Sequence, residues 1–307
     1  MKKYKENKLR HFRWRIGDRY DGWRVRNIEP FFAMIPFFLR KRIDAQNYFQ
    51  ERIPIDNIEA FIKNNKEEMP GLSIMHVIIA AMVRLVSQRP NLNRFVVWNK
   101  LYARNYINMS LVVKRSLTDE GEETLIKPYF LPTDTLKDVV QKIQAELDEN
   151  QHEGQQNSAD ILSKFLSVFP DFLMRSLVFI FTWMDKVGIF PRALEQISPW
   201  HTSLFLTNIG SIGVESVYHH LYEFGTCSIF VAMGKKSTQH SSKRSGEVLP
   251  YRSIQLKFAV DERICDGFYY ASSLRMLNKI FQHPEQLLLP PEKIVVDEGV
   301  GRKRIDV

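Results

Sequence analysis

The chain alternates between strand-like and helix-like segments, and this alternation most constrains its fold. In residues 253–260, the apolar side chains of Ile254, Leu256, Phe258 and Val260 alternate with smaller or polar ones, which is typical of a strand with one face in a core. Four further segments resemble strands: residues 107–114, 124–130, 203–207 and 227–233.

Helix-like segments are mixed with these strands. Residues 72–87 are apolar with few breaks, and Ser73 near their start is a residue type that begins helices. Residues 134–147 carry their apolar side chains on one face, and a third helix is expected from Gly267 to about Gln282. Helices mixed with a sheet across most of the chain predict an α/β fold, an α+β two-layer sandwich.

Two polar stretches and one apolar stretch complete the pattern. Residues 149–160 and 237–246 are predicted to be exposed loops. The most apolar segment, residues 161–184, has a longest uncharged run of nine residues, at 176–184. Since roughly 20 apolar residues are needed to span a bilayer, we expect a buried or interfacial helix there.

The formal net charge of +8 is concentrated near the N-terminus. Residues 1–26 hold ten Lys or Arg and three acids, a net charge of +7, which leaves the rest of the chain near +1. We interpret residues 1–30 as a basic arm, residues 31–290 as a single domain and residues 291–307 as a tail. The favoured interpretation of the arm is a solvated leader packed along the surface by Trp14, Tyr20 and Trp23, and no nucleic acid partner is expected. Contact with an acidic partner or an anionic membrane surface is the alternative.

Several common kinds of site are absent from the sequence. The two cysteines, Cys227 and Cys265, cannot form a disulfide framework or a cysteine-rich zinc site, and they favour a reducing cytoplasm. No metal is expected. The chain has no G-x-x-x-x-G-K-[ST], no G-x-G-x-x-G after a strand, no H-E-x-x-H and no G-x-S-x-G, which argues against the commonest nucleotide, zinc and hydrolase sites.

Three ordered segments instead carry a family resemblance. Residues 258–289 contain Asp266-Gly267, then a helix, then the run Pro-Glu-Gln-Leu-Leu at 284–288. Residues 205–213 contain Thr207-Asn208 followed by two glycines, and residues 72–93 end in Arg-Pro-Asn-Leu-Asn. In this order they resemble the catalytic domain of the dihydrolipoamide acyltransferase and chloramphenicol acetyltransferase superfamily, over roughly residues 70–290.

The resemblance implies a fold and a chemistry. The fold would be chloramphenicol acetyltransferase-like, a mixed sheet with helices packed on one side. The chain would form a homotrimer, and a site between subunits would transfer an acyl group from coenzyme A or a related thioester to a small-molecule thiol, hydroxyl or amine. Residues 1–70 show no Asp-Lys lipoylation turn, so no lipoyl group is expected on this chain.

Residue roles follow from the same resemblance. Thr207 would hydrogen-bond the developing oxyanion, and Asn208 would hold the turn after it. Asp266 and Gly267 would be structural, with Arg40 or Arg42 as the ion-pair partner of Asp266. From residue types alone, Asp266 can cap a helix, Gly267 can permit a tight turn, and Asn208 can adopt a left-handed turn.

The position of the family's catalytic histidine is occupied by Glu262. A carboxylate can act as the general base only if burial raises its pKa, so the competing interpretation is a charged strand end paired with Arg263. His219 and His220 offer a replacement base, or they brace the wall of the channel. Cys265 is interpreted as a small buried filler and His76 as a core histidine. Two functions therefore stay open: an acyltransferase, or a catalytically impaired relative that serves as a trimeric binding or scaffold protein.

Overall fold

The computed structural model describes residues 2–114, 123–150, 168–242 and 245–305. Its larger sheet has the strand order β2-β10-β9-β8-β5-β6, with β7 paired to β5. Strands β5, β8 and β9 run parallel to one another, and the other pairings are antiparallel. The strands are β2 (Gln46–Pro54), β5 (Ile107–Lys114), β6 (Glu123–Ile126), β7 (Tyr129–Phe130), β8 (Leu204–Asn208), β9 (Ile229–Ser242) and β10 (Val248–Asp261).

A smaller antiparallel sheet lies beside it, with the strand order β1-β4-β3. Its strands are β1 (Gly22–Arg24), β3 (Arg94–Val97) and β4 (Lys100–Arg104). The turn between β3 and β4 is Trp98-Asn99, and both residues have positive φ angles. This is the backbone that a two-residue hairpin turn requires.

Helices cover one face of the larger sheet. The central helix α4 is buried on nearly every side and packs between α5 and α8, and its side chains join those of Leu206, Val231 and Leu256 in the main core. The helices are α1 (Lys2–Asn7), α2 (Pro30–Phe38), α3 (Asp56–Asn65), α4 (Ile74–Gln88), α5 (Leu136–Asn150), α6 (Asp171–Val187), α7 (Arg192–Ile197) and α8 (Gly267–Gln282).

The other face of the larger sheet is covered by a loop. Phe205, Phe230 and Ala259 form a second apolar cluster with Leu221, against which Tyr222 packs. Because successive side chains of a strand point to opposite faces, Phe205 belongs to this loop face and its neighbours in β8 belong to the helix face. The predicted two-layer mixed sheet with helices on one side is therefore confirmed.

One local prediction was wrong, and two others fall partly outside the described residues. Residues 237–246 were expected to be a loop, but β9 continues to Ser242 and pairs with β10 from Val248 onward. The polar side chains there are exposed, and backbone pairing in a two-stranded ribbon does not require apolar ones. The apolar segment at 161–184 lies partly outside the described residues, as does most of the predicted loop at 149–160. Its described part, in α6, is more exposed than the buried alternative requires.

The basic arm is part of the fold rather than a solvated leader. β1 pairs with β4, Trp23 is buried in the core, and Arg19 forms a buried ion pair with Asp21. Trp14, by contrast, is 64% exposed. The arm belongs to the body because its strand completes the smaller sheet.

The tail also packs on the body. Asp297 forms a buried ion pair with Arg94 of β3, and Arg302 forms one with Asp18 of the arm. The division of the chain at residues 30 and 290 stays a prediction.

Candidate functional site

The predicted site residues fall at two opposite edges of the larger sheet. We call the edge at the C-terminal end of β8 the open edge, because a cavity lies there. We call the edge at the C-terminal end of β10 the closed edge, because the residues around it are buried. The N-terminal ends of β5, β8 and β9 share the closed edge, since β10 runs antiparallel to β9.

Thr207 and Asn208 form the end of β8 at the open edge. Asn208 accepts a hydrogen bond through Oδ1 from the backbone N–H of Ser211, 3.2 Å away, and so caps the short 3₁₀ turn that follows. Its φ of −108° shows that the expected left-handed conformation was wrong. The left-handed residue of this segment is Gly213, at the end of the turn.

Gly210 and Gly234 allow three backbone segments to approach one another closely at the open edge. These are the turn after β8, the loop around Ser216 and strand β9. A Cβ atom on Gly210 would collide with the carbonyl oxygen of Gly234. A Cβ atom on Gly234 would collide with the backbone nitrogen of Ser216, at 2.5 Å. The backbone N–H of Lys235 donates to the carbonyl of Val214 at 3.0 Å, which joins two of the segments. Side chains at either glycine would push these segments apart.

A cavity of about 570 Å³ opens beside these glycines, on the helix side of the sheet. Its wall includes Asn208, Gly210 and Ser211 from the end of β8 and the start of α4. Four lysines and one carboxylate contribute the charge of its lining: Lys63, Lys66, Lys235, Lys236 and Glu59. Glu59 is paired with Lys236 at 2.8 Å. An excess of positive charge around a cavity of this size suits an anionic ligand.

The closed edge is organised around the buried carboxylate of Asp261. Its Oδ2 lies 2.7 Å from Arg263 and 3.7 Å from Arg42. Arg42 also donates to the carbonyls of Tyr222 and Gly225 in the loop that covers the sheet. Arg42 and Arg263 pair with Asp261, so the expected pairings of Arg42 with Asp266 and of Arg263 with Glu262 were wrong. Arg40, the other expected partner of Asp266, is exposed, and its Nε donates to the carbonyl of Phe37. The fully buried carboxylate of Asp261 lies between the two guanidinium groups and pairs with both of them.

Glu262 lies just beyond this ion-pair cluster. It is half-buried, and its Oε2 accepts a hydrogen bond from Nδ2 of Asn47 on β2 at 2.8 Å. Its backbone N–H donates to the carbonyl of Ala45 at 2.9 Å. The side chain is thus held in place by an amide donor.

Asp266 and Gly267 begin α8. Oδ1 of Asp266 accepts from the backbone N–H of Tyr269 at 2.8 Å, as a helix-capping residue does, and Asp266 is otherwise exposed. The expected need for glycine at 267 was wrong. Its φ is not positive, and a Cβ atom there would meet nothing within 4 Å.

His219 and His220 lie on the loop face, between the two edges. The ring of His219 stacks on Phe230 with a centroid distance of 3.9 Å, and its Nδ1 lies 2.8 Å from the carbonyl of His220. Burial lowers the pKa of His219, so its ring is neutral at neutral pH and able to accept a proton. Phe230 pairs with Phe205, two residues before Thr207 in β8.

Two other candidates have structural roles. Cys265 is buried, and burial raises the pKa of its thiol to about 12, so it is a protonated filler rather than an acyl acceptor. Nδ1 of His76 lies 2.8 Å from Oγ of Ser73 at the start of α4. Within the described residues, no group of three or more His, Cys, Asp or Glu side chains is arranged to hold a metal ion.

The strand registers show that Thr207 and Glu262 are far apart in one chain. Thr207 pairs with Ala232 of β9, which pairs with Lys257 of β10. Glu262 is five residues further along, so it lies about 17 Å along the strands and about 10 Å across them from Thr207. One reacting atom needs both groups at about 3 Å, so a single subunit cannot place Thr207 and Glu262 at the same atom.

Sequence reasoning missed the lysines of the cavity and the amide of Asn47. Lys235 and Lys236 directly follow a glycine at the end of a predicted strand, and this could have marked them as neighbours of Thr207. Lys63, Lys66 and Asn47 carry no such signal, because their closeness depends on how α3 and β2 pack on the sheet.

Comparisons with known proteins support the motif assignment. Residues 200–289 match the family model of the 2-oxoacid dehydrogenases acyltransferase (catalytic domain). That match covers the segments around Thr207 and Asp266 and confirms the resemblance stated for them. No curated protein sequence matches the chain.

Solved structures show the same fold over most of the chain. Dihydrolipoamide acetyltransferase of Azotobacter vinelandii has a TM-score of 0.53 and 14% identity, covering 84% of this chain and 88% of that one. A probable dihydrolipoamide acetyltransferase of Listeria monocytogenes has a TM-score of 0.53 and 11% identity, covering 81% and 88%. A truncated catalytic core of the 2-oxoacid dehydrogenase multienzyme complex of Thermoplasma acidophilum has a TM-score of 0.51 and 13% identity, covering 84% and 97%. The chain therefore has an acyltransferase-type fold.

Proposed function

We propose that the chain is an acyltransferase that moves an acyl group from a coenzyme A thioester to a thiol, hydroxyl or amine acceptor. The observation that carries the proposal is the lysine-lined cavity at the end of β8. The phosphates of coenzyme A would lie among Lys63, Lys66 and Lys235 on the helix side of the sheet. The thioester would have to pass the end of β8 to reach Thr207, whose side chain belongs to the loop face, as that of Phe205 does. The absence of a resident metal or lipoyl group stays part of the proposal.

The roles of the reacting groups follow from the two edges. The Thr207 hydroxyl would donate to the oxygen of the acyl group as negative charge develops there. His219 or Glu262 would remove the proton of the acceptor, and His220 would hold the ring of His219 through its carbonyl. Of the two, His219 is the better match to a thiol acceptor, because the ordinary pKa of an imidazole lies closer to that of a thiol than the ordinary pKa of a carboxylate does.

The distance between the edges supports a site formed between subunits. If Glu262 acts with Thr207, they must come from different copies of the chain, and a homotrimer would supply three such pairs. One solved structure of similar fold, with a TM-score of 0.53 and 13% identity, is the cubic core of the pyruvate dehydrogenase multienzyme complex, which is itself an assembly.

The direct test measures consumption of acetyl-coenzyme A and longer acyl-coenzyme A thioesters with thiol, hydroxyl and amine acceptors. We expect turnover with at least one acceptor class, and its loss in Thr207→Ala but not in Thr207→Ser. Turnover that is unchanged in Thr207→Ala would remove the oxyanion role from this residue.

A mixing experiment tests the site between subunits. Thr207→Ala and Glu262→Gln chains are each purified and then refolded together. If the pair acts across subunits, mixed oligomers contain some sites in which both residues are native, and turnover returns. If Glu262→Gln alone is active, the base lies elsewhere, and His219→Gln is the next variant to measure. If both variants are inactive and the refolded mixture is inactive too, the two residues do not act across subunits.

A second candidate function is binding without turnover. It is favoured by the position of Glu262, whose Oε2 already accepts a hydrogen bond from Nδ2 of Asn47 instead of facing a substrate. Thermal stabilisation of the chain by coenzyme A, with no turnover for any acceptor, would support a binding or scaffold role. The cytoplasmic location inferred from the cysteines remains a proposal.

A further inference from the structure

The outward face of helix α6 is apolar although nothing in the described chain covers it. Phe172 and Phe179 are each 72% exposed, and Trp183 is 53% exposed. These residues are spaced by seven and four positions, so they form one line along the helix. Val178 and Ile180 beside them are also about half exposed.

The exposure does not reflect a loosely attached helix. On its inner side, Asp185 is buried, with Oδ1 2.7 Å from Arg19 and Oδ2 3.5 Å from the ring of His201. Phe181 contacts Phe190, which stacks on His201 with a centroid distance of 4.9 Å. The inner side of α6 is therefore held against the body by the buried contacts of Asp185, while large apolar side chains on the other side face outward.

The charges beside the exposed line are mainly positive. Arg175 and Lys186 are exposed and lie three or four positions from Phe172, Phe179 and Trp183, which makes them neighbours on the helix surface. Of the two acids in the helix, Asp185 is buried and Asp171, at the first position, is exposed. Aromatic side chains flanked by Lys and Arg are typical of helices that lie at a membrane interface.

Helix α2 repeats the pattern independently. Phe31 and Phe38 are 74% and 76% exposed, and Met34 and Phe37 lie between them on the surface. The exposed cations Arg40 and Lys41 follow directly.

We propose that the outward face of α6, assisted by α2, docks the protein on the surface of an anionic bilayer. No helix in the described part of the chain is long and apolar enough to cross a membrane, and α6 is about 26 Å long, so it would lie in the interface. A second copy docked through the same face would bring Arg175 and Lys186 against their own counterparts, whereas anionic headgroups complement them. The proposal does not depend on acyl transfer.

The test is flotation of the full chain with vesicles of phosphatidylcholine, with and without phosphatidylserine. We expect the chain to float with the anionic vesicles and to bind them roughly tenfold more tightly than the neutral ones. The double variant Phe179→Glu/Trp183→Glu should lose flotation. The matched control is Trp98→Glu, which changes another exposed tryptophan, in the β3–β4 turn, and should float as the native chain does.

Two further measurements make every result decisive. Circular dichroism melting confirms that the double variant is folded, and Arg175→Glu/Lys186→Glu, which changes only exposed charges, should also lose the preference for anionic vesicles. A native chain that floats with neither vesicle, or a folded double variant that floats normally, would overturn the proposal. If the native chain does not float and light scattering shows a smaller assembly for the double variant, the face is an interface between copies instead.

Discussion

The two edges of the larger sheet differ in whether their charged side chains are buried or exposed. At the closed edge, charges are buried and paired with one another, as in the cluster of Asp261, Arg42 and Arg263. At the open edge, the charges are exposed lysines around a cavity, and the close contacts are made by glycine backbone. The closed edge thus depends on ion pairs for its stability, whereas the open edge keeps space for a ligand.

The contrast predicts that the largest effect on stability comes from the closed edge. Asp261→Asn leaves two buried guanidinium groups without their carboxylate and should lower the free energy of unfolding by about 3–5 kcal/mol. Glu262→Gln, one residue away and half-buried, should cost about 1 kcal/mol or less. Urea unfolding of both variants measures the difference, and equal losses would show that Asp261 has no special role.

At the open edge, the largest effect should be on turnover. Thr207→Ala should reduce turnover by about 10²–10³-fold, as the loss of an oxyanion donor does, while changing the melting temperature little. Steady-state rates and thermal melting on the same samples separate the two quantities. A loss of turnover explained by unfolding would contradict the assignment.

Lys127, at the closed edge, should make the stability of the folded chain depend on pH. Its ammonium group is buried and donates to the carbonyls of Glu195 and Ser198, and burial lowers its pKa to about 8 from an ordinary value of 10.5. Because the unfolded chain then holds this proton at a higher pH than the folded chain, Lys127 makes the stability rise as pH increases between these two values.

The rise is measured against a variant without the amine. Between pH 8 and pH 10, the stability of the native chain relative to Lys127→Met should increase by about 2 kcal/mol. Unfolding curves of both chains at each pH give the difference in their free energies of unfolding. The contributions of the other titrating groups cancel in this difference. A difference that is flat with pH would mean that folding does not lower the pKa of Lys127.

The last comparison is between two glycines, and the smallest expected effect is that of Gly267→Ala. Gly210→Ala must displace the backbone near Gly234 and should cost about 1–3 kcal/mol, with weaker binding in the cavity. Gly267→Ala meets no atom and should be neutral or stabilise the chain by about 0.4–1 kcal/mol. Chemical unfolding gives the free energy of unfolding of each variant. A loss in Gly210→Ala without a loss in Gly267→Ala would show that the tight backbone packing lies at the open edge.

Periodicity and motif order were enough to predict most of the fold. The alternating residues 253–260, the buried helix at 72–87 and the helix from Gly267 to Gln282 all lie where the sequence placed them. The polar ribbon at 237–242 was missed because its pairing uses backbone groups that every residue carries. The arm was misjudged because the pairing of β1 with β4 joins residues about 80 positions apart.

The site was harder to predict than the fold. The motif located Thr207, Glu262 and Asp266, but not their separation, which depends on strand direction and register. The ion-pair partners were also misassigned, because Arg42 and Asp261 are 219 positions apart in sequence and meet only through packing of the loop face. Local sequence carries the residue types of a site, whereas long-range pairing decides which of them interact.

The long ribbon of β9 and β10 has one further consequence, for amide hydrogen exchange. Beyond the end of β2, the strands of residues 239–242 and 248–251 pair only with each other, so the hydrogen bonds between them should open without unfolding of the core. Lys235 and Lys236 stand at the base of this ribbon, beside the cavity. A bound ligand should therefore slow exchange at the base and leave the tip unchanged, so the tip serves as an internal reference in the same experiment.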